Sequence, residues 1–368
     1  MTTEMATEPR KGAPGRLGDP ELSLGTDPRV HPGVVAALAP FGLDQLASAP
    51  PVTIRSARAE LLEFAAGAEA AFEPVFEALM EGLPEVEGIA SETHTAVAPD
   101  GHEVKLYVTR PQSSEGPLPC VYYLHGGGMA MMGATGAVYD RWRRELSADG
   151  LVVVGGEFRN GGGRLGPHPY PTGLQDCATG LKWVDEHAAE LGVSNIVVSG
   201  DSGGANLALA LTIKAKREGF LSSISGVYAH CPYVHGKWAE DDGTPPSVAE
   251  NDGYFNQRDM MQVLAEIYDP GSAHIDEVTC WPGRATTADL EGLPPHVISV
   301  NEVDPLRDEG LDYYRKLLAA DVPASAWINP GLSHEAEILF RATLPEVYAA
   351  NVRSVSGFAR SLEPRGGR

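Results

Sequence analysis

Cysteine is scarce in this chain: four residues, at 120, 177, 231 and 280, in 368. None forms a Cys-x-x-Cys pair, which excludes the usual zinc and dithiol motifs, and four in so long a chain make no disulfide framework. Basic residues are also few, 28 against 50 acidic, for a formal net charge of -22. Such a surface repels phosphate backbones and excludes nucleic acid as a natural partner. No apolar run reaches the length of a membrane span, and the opening "MTTEMATEPRKGAPGRLGDP" has no apolar core of a secretory signal. These absences predict a cytoplasmic protein with no membrane partner. They leave its oligomeric state, including a homo-oligomer, open.

What is present is a globular composition, 43% apolar, and enough length for one large core or for a catalytic domain with a smaller addition. Residues 1 to about 30 are rich in Gly, Pro and charge and read as a loose arm. The following stretch, "SARAELLEFAAGAEAAFEPVFEALMEGL", carries an apolar stripe at helical spacing through Leu61, Ala65, Phe72, Phe76 and Leu79, with Pro74 predicted to end or kink it. Residues 1–85 are therefore assigned to an arm and a helical cap. From residue 86 to 368 the texture is that of a catalytic domain. A hairpin around "PDG" precedes short apolar runs such as "CVYYLHGGG", "LVVVGGEF", "NIVVSG" and "HVISVNEVDP", with helical segments between several of them. Buried β-runs alternating with helices predict an α/β fold, a mostly parallel sheet covered on both faces. The long polar stretch 234–290 interrupts that rhythm and reads as a lid insertion at the mouth of a site.

"GDSGG", residues 200–204, has two meanings. It surrounds the nucleophile of chymotrypsin-like proteases, and it satisfies the Gly-x-Ser-x-Gly nucleophile elbow. The flanks decide. "NIVVS" before it is a β-run and "GGANLALALTIKAK" after it is helical, whereas the protease is all β and places its His and Asp before its Ser. Strand, sharp turn, helix is what an elbow needs, with Ser202 as nucleophile. A glycine-rich turn without chemistry is the bland alternative. Upstream, "YLHGGGMA" follows a β-run, and Gly126, Gly127 and Gly128 can turn bare N–H groups toward a substrate oxygen, joined by the N–H of Gly203. Downstream, Asp304 lies just past a strand in "NEVDPLRDEG", with Glu302 its rival and Asp308 and Glu309 read as helix caps. His334 lies in the loop after the last β-run. His274 falls in the polar insertion, His296 begins a strand, and His125 is read as a brace of the oxyanion loop.

With HGGG, GDSGG, DPLRDEG and a late histidine in this order, the chain resembles the hormone-sensitive-lipase family of esterases from about residue 90 to its end. The resemblance implies an α/β-hydrolase fold with a cap of N-terminal helices. It implies Ser202 as nucleophile, Asp304 as acid, His334 as base and Gly126, Gly127, Gly128 and Gly203 around the oxyanion, with no metal and no cofactor. The implied partner is a small-molecule ester, short to medium acyl, aryl or lactone. An amidase or deacetylase with the same triad and a ligand-binding receptor on the same scaffold are the alternatives. Two positions depart from the family pattern: Gly203 where alanine is usual, and Glu335 where glycine often follows the histidine. A carboxylate beside His334 is expected to raise its pKa or crowd the leaving group.

Overall fold

The computed structural model describes residues 12–238 and 244–364. Eight strands form one sheet in the order β1-β2-β4-β3-β5-β6-β7-β8. They are β1 (Ile89–Val97), β2 (Glu103–Pro111), β3 (Leu118–Leu124), β4 (Val152–Gly156), β5 (Val193–Asp201), β6 (Gly226–His230), β7 (His296–Asn301) and β8 (Ala324–Asn329). The first two are a hairpin paired antiparallel to each other and to β4; from β4 to β8 every pairing is parallel. The helices in chain order are α1 (Pro32–Leu38), α2 (Arg58–Met80), α3 (Ala137–Ala148), α4 (Thr172–Glu186), α5 (Ala188–Leu191), α6 (Gly203–Glu218), α7 (Pro246–Glu250), α8 (Arg258–Tyr268), α9 (Thr287–Leu290), α10 (Arg307–Ala319), α11 (Ala336–Leu339) and α12 (Pro345–Ser361).

The apolar runs explain the layering. Along β3, Cys120, Tyr122 and Leu124 enter one core with α4, α6 and α10, while Val121 and Tyr123 enter the other with α3 and α12. Side chains alternate across a strand, so a run apolar at every position must be covered on both faces. Register then places the chemistry. Leu124 of β3 pairs with Gly200 of β5, Asp201 with His230 of β6, and Asn301 of β7 with Asn329 of β8. The carboxyl ends of these strands are flush, so the loops carrying HGGG, Ser202, Asp304 and His334 leave the sheet at one edge.

Helix α2 continues through Pro74 to Met80, so the proline does not end it. Its buried positions are Leu61, Ala65, Glu69, Phe76 and Leu79, and packing of that face against the body outweighs the hydrogen bond the proline removes. α2 packs against α3 and α8, the latter from the 234–290 stretch, of which residues 239–243 lie outside the described residues.

The reading of residues 1–30 as a loose arm needs correction from residue 12 onward; residues 1–11 lie outside the described residues. Leu24 is fully buried and Arg16 reaches the Asp252 carbonyl at 2.6 Å. Arg29 pairs with Asp27 at 2.7 Å and with Glu250, and Glu250 also holds Arg307 at 3.0 Å. Charges that look solvated in sequence are partners across more than two hundred residues. Arg29→Ala leaves the Asp27 carboxylate buried with the Tyr254 hydroxyl at 3.0 Å and the backbone N–H of residue 29 at 2.9 Å but no counter-charge, and is expected to cost about 2–3 kcal/mol in urea unfolding. Arg29→Lys should recover only part of that, because it loses the fork that spans Asp27, Glu250 and Asn251.

Candidate active site

Ser202 sits between β5 and α6 with φ 51° and ψ -115°, a conformation that costs a non-glycine residue energy and that marks a nucleophile elbow. It is pinned on both sides. Its N–H donates to the His230 carbonyl at 2.9 Å, and its own carbonyl accepts from Asn206 and Tyr233. Its neighbour Gly203 leaves no room for a side chain unless the facing loop shifts. A Cβ on Gly203 would stand 2.6 Å from the Met129 nitrogen and 2.7 Å from the Gly128 nitrogen. The helix start and the oxyanion loop are thus in backbone contact.

That loop turns through left-handed residues, Gly127 at φ 101° and Gly128 at φ 61°, followed by Met129 at 57°. The Gly127 carbonyl accepts from Ala130 and Met131 and closes the turn. Neither Gly127 nor Gly128 donates its own N–H to a partner among the described residues, so both remain for a ligand oxygen beside the start of α6. Gly126 has a different place: a Cβ on it would meet the carboxyls of Asp201 and Glu335. His125 is buried, stacks on Phe158 at 4.2 Å and approaches the Gly126 carbonyl at 2.7 Å through Nδ1. Burial pushes its pKa down to about 4, so it stays neutral and braces the loop, as read from sequence.

His334 Nδ1 lies 2.7 Å from Asp304 Oδ2, and both residues are buried. The carboxylate is oriented by the Leu306 N–H on its other oxygen at 2.9 Å, while Asn251 donates to the Asp304 carbonyl. Its rivals are occupied elsewhere. Glu302 accepts from the Gly331 N–H, Asp308 from Ser247, and Glu309 from Val234 and His235. His274 pairs with Asp269, and His296 is buried against the Pro294 carbonyl. Cys231 Sγ lies in one cluster with Asp304 and His334. Burial first, then the surrounding carboxylates, push that thiol well up.

Ser202, His334, Gly127 and Gly128 line one cavity. Its other walls are Phe72 and Phe76 from α2, Met131 and Met132, Tyr139, Phe255, and Met260, Met261 and Leu264 from α8. Phe72 and Phe76, from the apolar stripe read in the sequence, thus line the cavity. Tyr254 is fully buried with its hydroxyl on Asp27, and the adjacent Phe255 takes the wall. Two acids escaped the sequence reading. Glu69 of α2 is buried and accepts from the Met132 N–H at 2.9 Å and the Arg164 N–H at 2.6 Å, tying cap to oxyanion loop. Asp201 accepts from the Tyr123 hydroxyl beneath Ser202. Glu69 lies on the helix's buried stripe, and its charged letter gave no sign of burial.

A mostly parallel sheet with a strained serine at a strand-to-helix turn, and a His–Asp pair on the same cavity, defines an α/β-hydrolase. Residues 121–338 match the α/β-hydrolase-fold family. The chain is 32% identical to carboxylesterase NlhH of Mycobacterium tuberculosis over 71% of this chain and 79% of that one. Brefeldin A esterase, described as a bacterial homologue of human hormone-sensitive lipase, superposes with a TM-score of 0.91 at 43% identity, over 94% of this chain and 98% of that one. Esterase Est22 superposes with a TM-score of 0.82 at 35% identity, over 92% and 99%. The chain belongs to the hormone-sensitive-lipase family of α/β-hydrolases and is a carboxylic ester hydrolase.

Gly203→Ala tests the backbone contact at the elbow. The added methyl has to push the oxyanion loop away, and a fall in kcat of about tenfold or more is expected, because displaced donors lose transition-state stabilisation. Side-by-side steady-state kinetics and thermal melts check it; unchanged kcat would show that the loop yields at no cost.

Proposed function

We propose that the protein is a serine carboxylesterase working through Ser202, His334 and Asp304. The observation that carries this reading is the 2.7 Å contact of His334 with Asp304 on the cavity that Ser202 also lines. In the reaction His334 takes the Ser202 proton at Nε2 as the hydroxyl oxygen attacks the ester carbonyl carbon. Asp304 holds the Nδ1 proton and stabilises the imidazolium. The N–H groups of Gly127, Gly128 and Gly203 receive the oxyanion, with Gly126 shaping the turn. Collapse of the tetrahedral intermediate expels the alcohol, which takes the proton from His334, and leaves an acyl-enzyme. Water, deprotonated by the same histidine, then releases the acid and restores Ser202.

The walls support a neutral, apolar substrate. They are mostly aromatic, methionine and leucine side chains, with Asn256 polar, Glu335 the one acid and no lysine or arginine. Anionic esters would meet a carboxylate and no counter-charge. Short-to-medium acyl and aryl esters fit this chemistry, and the likeness to brefeldin A esterase extends the proposal to lactones, which are internal esters cleaved by the same steps. α2 and the 234–290 stretch are proposed as the cap and lid that shape the entry. A cytoplasmic setting is part of the proposal; all four cysteines are buried. Among the described residues no helix is long and apolar enough to cross a membrane.

A p-nitrophenyl ester series from acetate to long acyl chains tests the reading. Turnover should peak at short or medium chains, and Ser202→Ala should lose about four orders of magnitude or more while melting like the parent. Appreciable turnover by that variant would remove the serine mechanism. Turnover of amides but not esters by the parent would move the activity to an amidase.

A further inference from the structure

Glu335, the residue after the catalytic histidine, is held where its backbone gains nothing. Its φ is 56° and ψ 13°, the left-handed region that glycine occupies without cost and glutamate does not. The side chain does not escape to water; the residue is buried. Its Oε1 lies 3.4 Å from His334 Nε2, the nitrogen that must serve Ser202.

The same Oε1 and the Oδ2 of Asp201 are both buried without an assigned hydrogen-bond donor. They converge from different elements, β5 and the turn into α11, on one point. A Cβ on Gly126 would be 2.5 Å from the Asp201 oxygen and 2.7 Å from the Glu335 oxygen. Two buried carboxylate oxygens cannot face each other unless one carries a proton. Asp201 is the one that carries it. Its other oxygen already accepts from the Tyr123 hydroxyl, and burial first, then the adjoining Glu335, hold its carboxyl well above the usual range. The two orphaned atoms are then partners, with Asp201 Oδ2 donating to Glu335 Oε1. Gly126 is glycine in part because a side chain there would part them.

We infer that Glu335, supported by a protonated Asp201, is a second acidic partner of His334, set on the Nε2 side opposite Asp304, and acts as a positioning residue that fixes the basicity of the histidine. This rests on the triad reading proposed above. The groups around the imidazole are Asp304 from the loop after β7, Glu335 from its own turn, Asp201 and Ser202 from the end of β5, Cys231 after β6, and Glu309 of α10 behind Asp304. No lysine or arginine lines the cavity to offset them. Burial alone would lower the His334 pKa; Asp304 and then Glu335 override it and raise it well above the ordinary value. The sign follows. His334 must be neutral to take the Ser202 proton, so a raised value moves the acid limb of the rate profile to higher pH. Removing the Glu335 charge must move that limb down.

The test is the pH dependence of kcat/KM on a soluble p-nitrophenyl ester for the parent, E335Q, E335G and D201N. E335G relieves the backbone strain, so a folding defect is not expected from it. Both Glu335 variants should lower the acid midpoint by about one to three pH units, the effect of removing one opposite charge at this range. D201N keeps a donor toward Glu335 and an acceptor for Tyr123, and should retain the parent midpoint. A folded E335G with an unshifted acid limb overturns the inference, and so does a D201N midpoint that falls with those of the Glu335 variants. Should the Glu335 variants turn over too slowly for a profile, NMR titration of the His334 ring in the S202A background, with and without E335G, reads the same shift directly. An unchanged ring midpoint overturns the proposal there too. Persistent turnover by S202A alone would fail the triad reading instead, so the two failures are separable.

Discussion

The start of α6 touches the oxyanion loop backbone to backbone, and most of the site follows from that contact. β3 and β5 are neighbours in a parallel sheet, paired Leu124 to Gly200. The two loops leaving them must therefore share one small space. A Cβ at 203 would stand 2.7 Å from the Gly128 nitrogen, so a side chain there requires the loop to shift, and glycine lets the two backbones lie in contact. The strain at Ser202 is the other face of the same constraint. Its φ of 51° lets the strand turn into the helix without carrying the side chain into the loop. The hydrogen bonds to His230, Asn206 and Tyr233 hold that conformation against its cost.

The second requirement is that distant segments agree about where the loops sit. Glu69 on α2 accepts from the N–H groups of Met132 and Arg164, so the helix is tied to the segment that follows HGGG. On the far side, Asp27, Arg29, Glu250, Arg307 and Asp308 form a chain of ion pairs under the loop of Asp304. Most of these side chains are largely buried, which makes such a chain worth little as raw stability and more as a specification of geometry. Ser202, Asp304 and His334 stand on three separate loops, and such ties bind the segments around them to one another rather than to the sheet alone.

The elements visible in the sequence were those whose residue types are forced by sterics or by two-sided burial. GDSGG and HGGG are such places, because any side chain would collide. The strand runs are another, since a strand covered on both faces has no polar position to spare. Asp304 and His334 were found by chain order, and the structure joins them at 2.7 Å. What stayed hidden depends on partners far away in the chain. Asp27 and Arg29 look like a solvated arm until Glu250 is placed beside them. Glu69 is an acid on a buried stripe, paid for by two backbone N–H groups that no local pattern announces. Tyr254 and Phe255 differ by one position, and Phe255, at φ 66°, is the one that lines the cavity, while Tyr254 turns its hydroxyl to Asp27. Asp201 read as part of a turn motif, because nothing local reveals that a second carboxyl arrives from residue 335.

That last case bears on how a strongly acidic protein keeps a working base. An imidazole in a dry site between carboxylates gains a stable cation at the transition state and loses neutral base at rest; both come from the same field. Asp304 alone supplies orientation through Nδ1. A second full negative charge at Nε2 would bind the proton too well and hold it away from the leaving alcohol. Sharing a proton between Asp201 and Glu335 tempers this. The pair carries one negative charge rather than two, and the hydrogen bond from Asp201 draws density away from the oxygen nearest the ring. Tyr123, donating to Asp201 from inside the sheet, completes a line of donors that ends at the Glu335 carboxylate beside His334. The acidity of this site is thus set by how many protons the carboxyls share, and Gly126 keeps them close enough to share one.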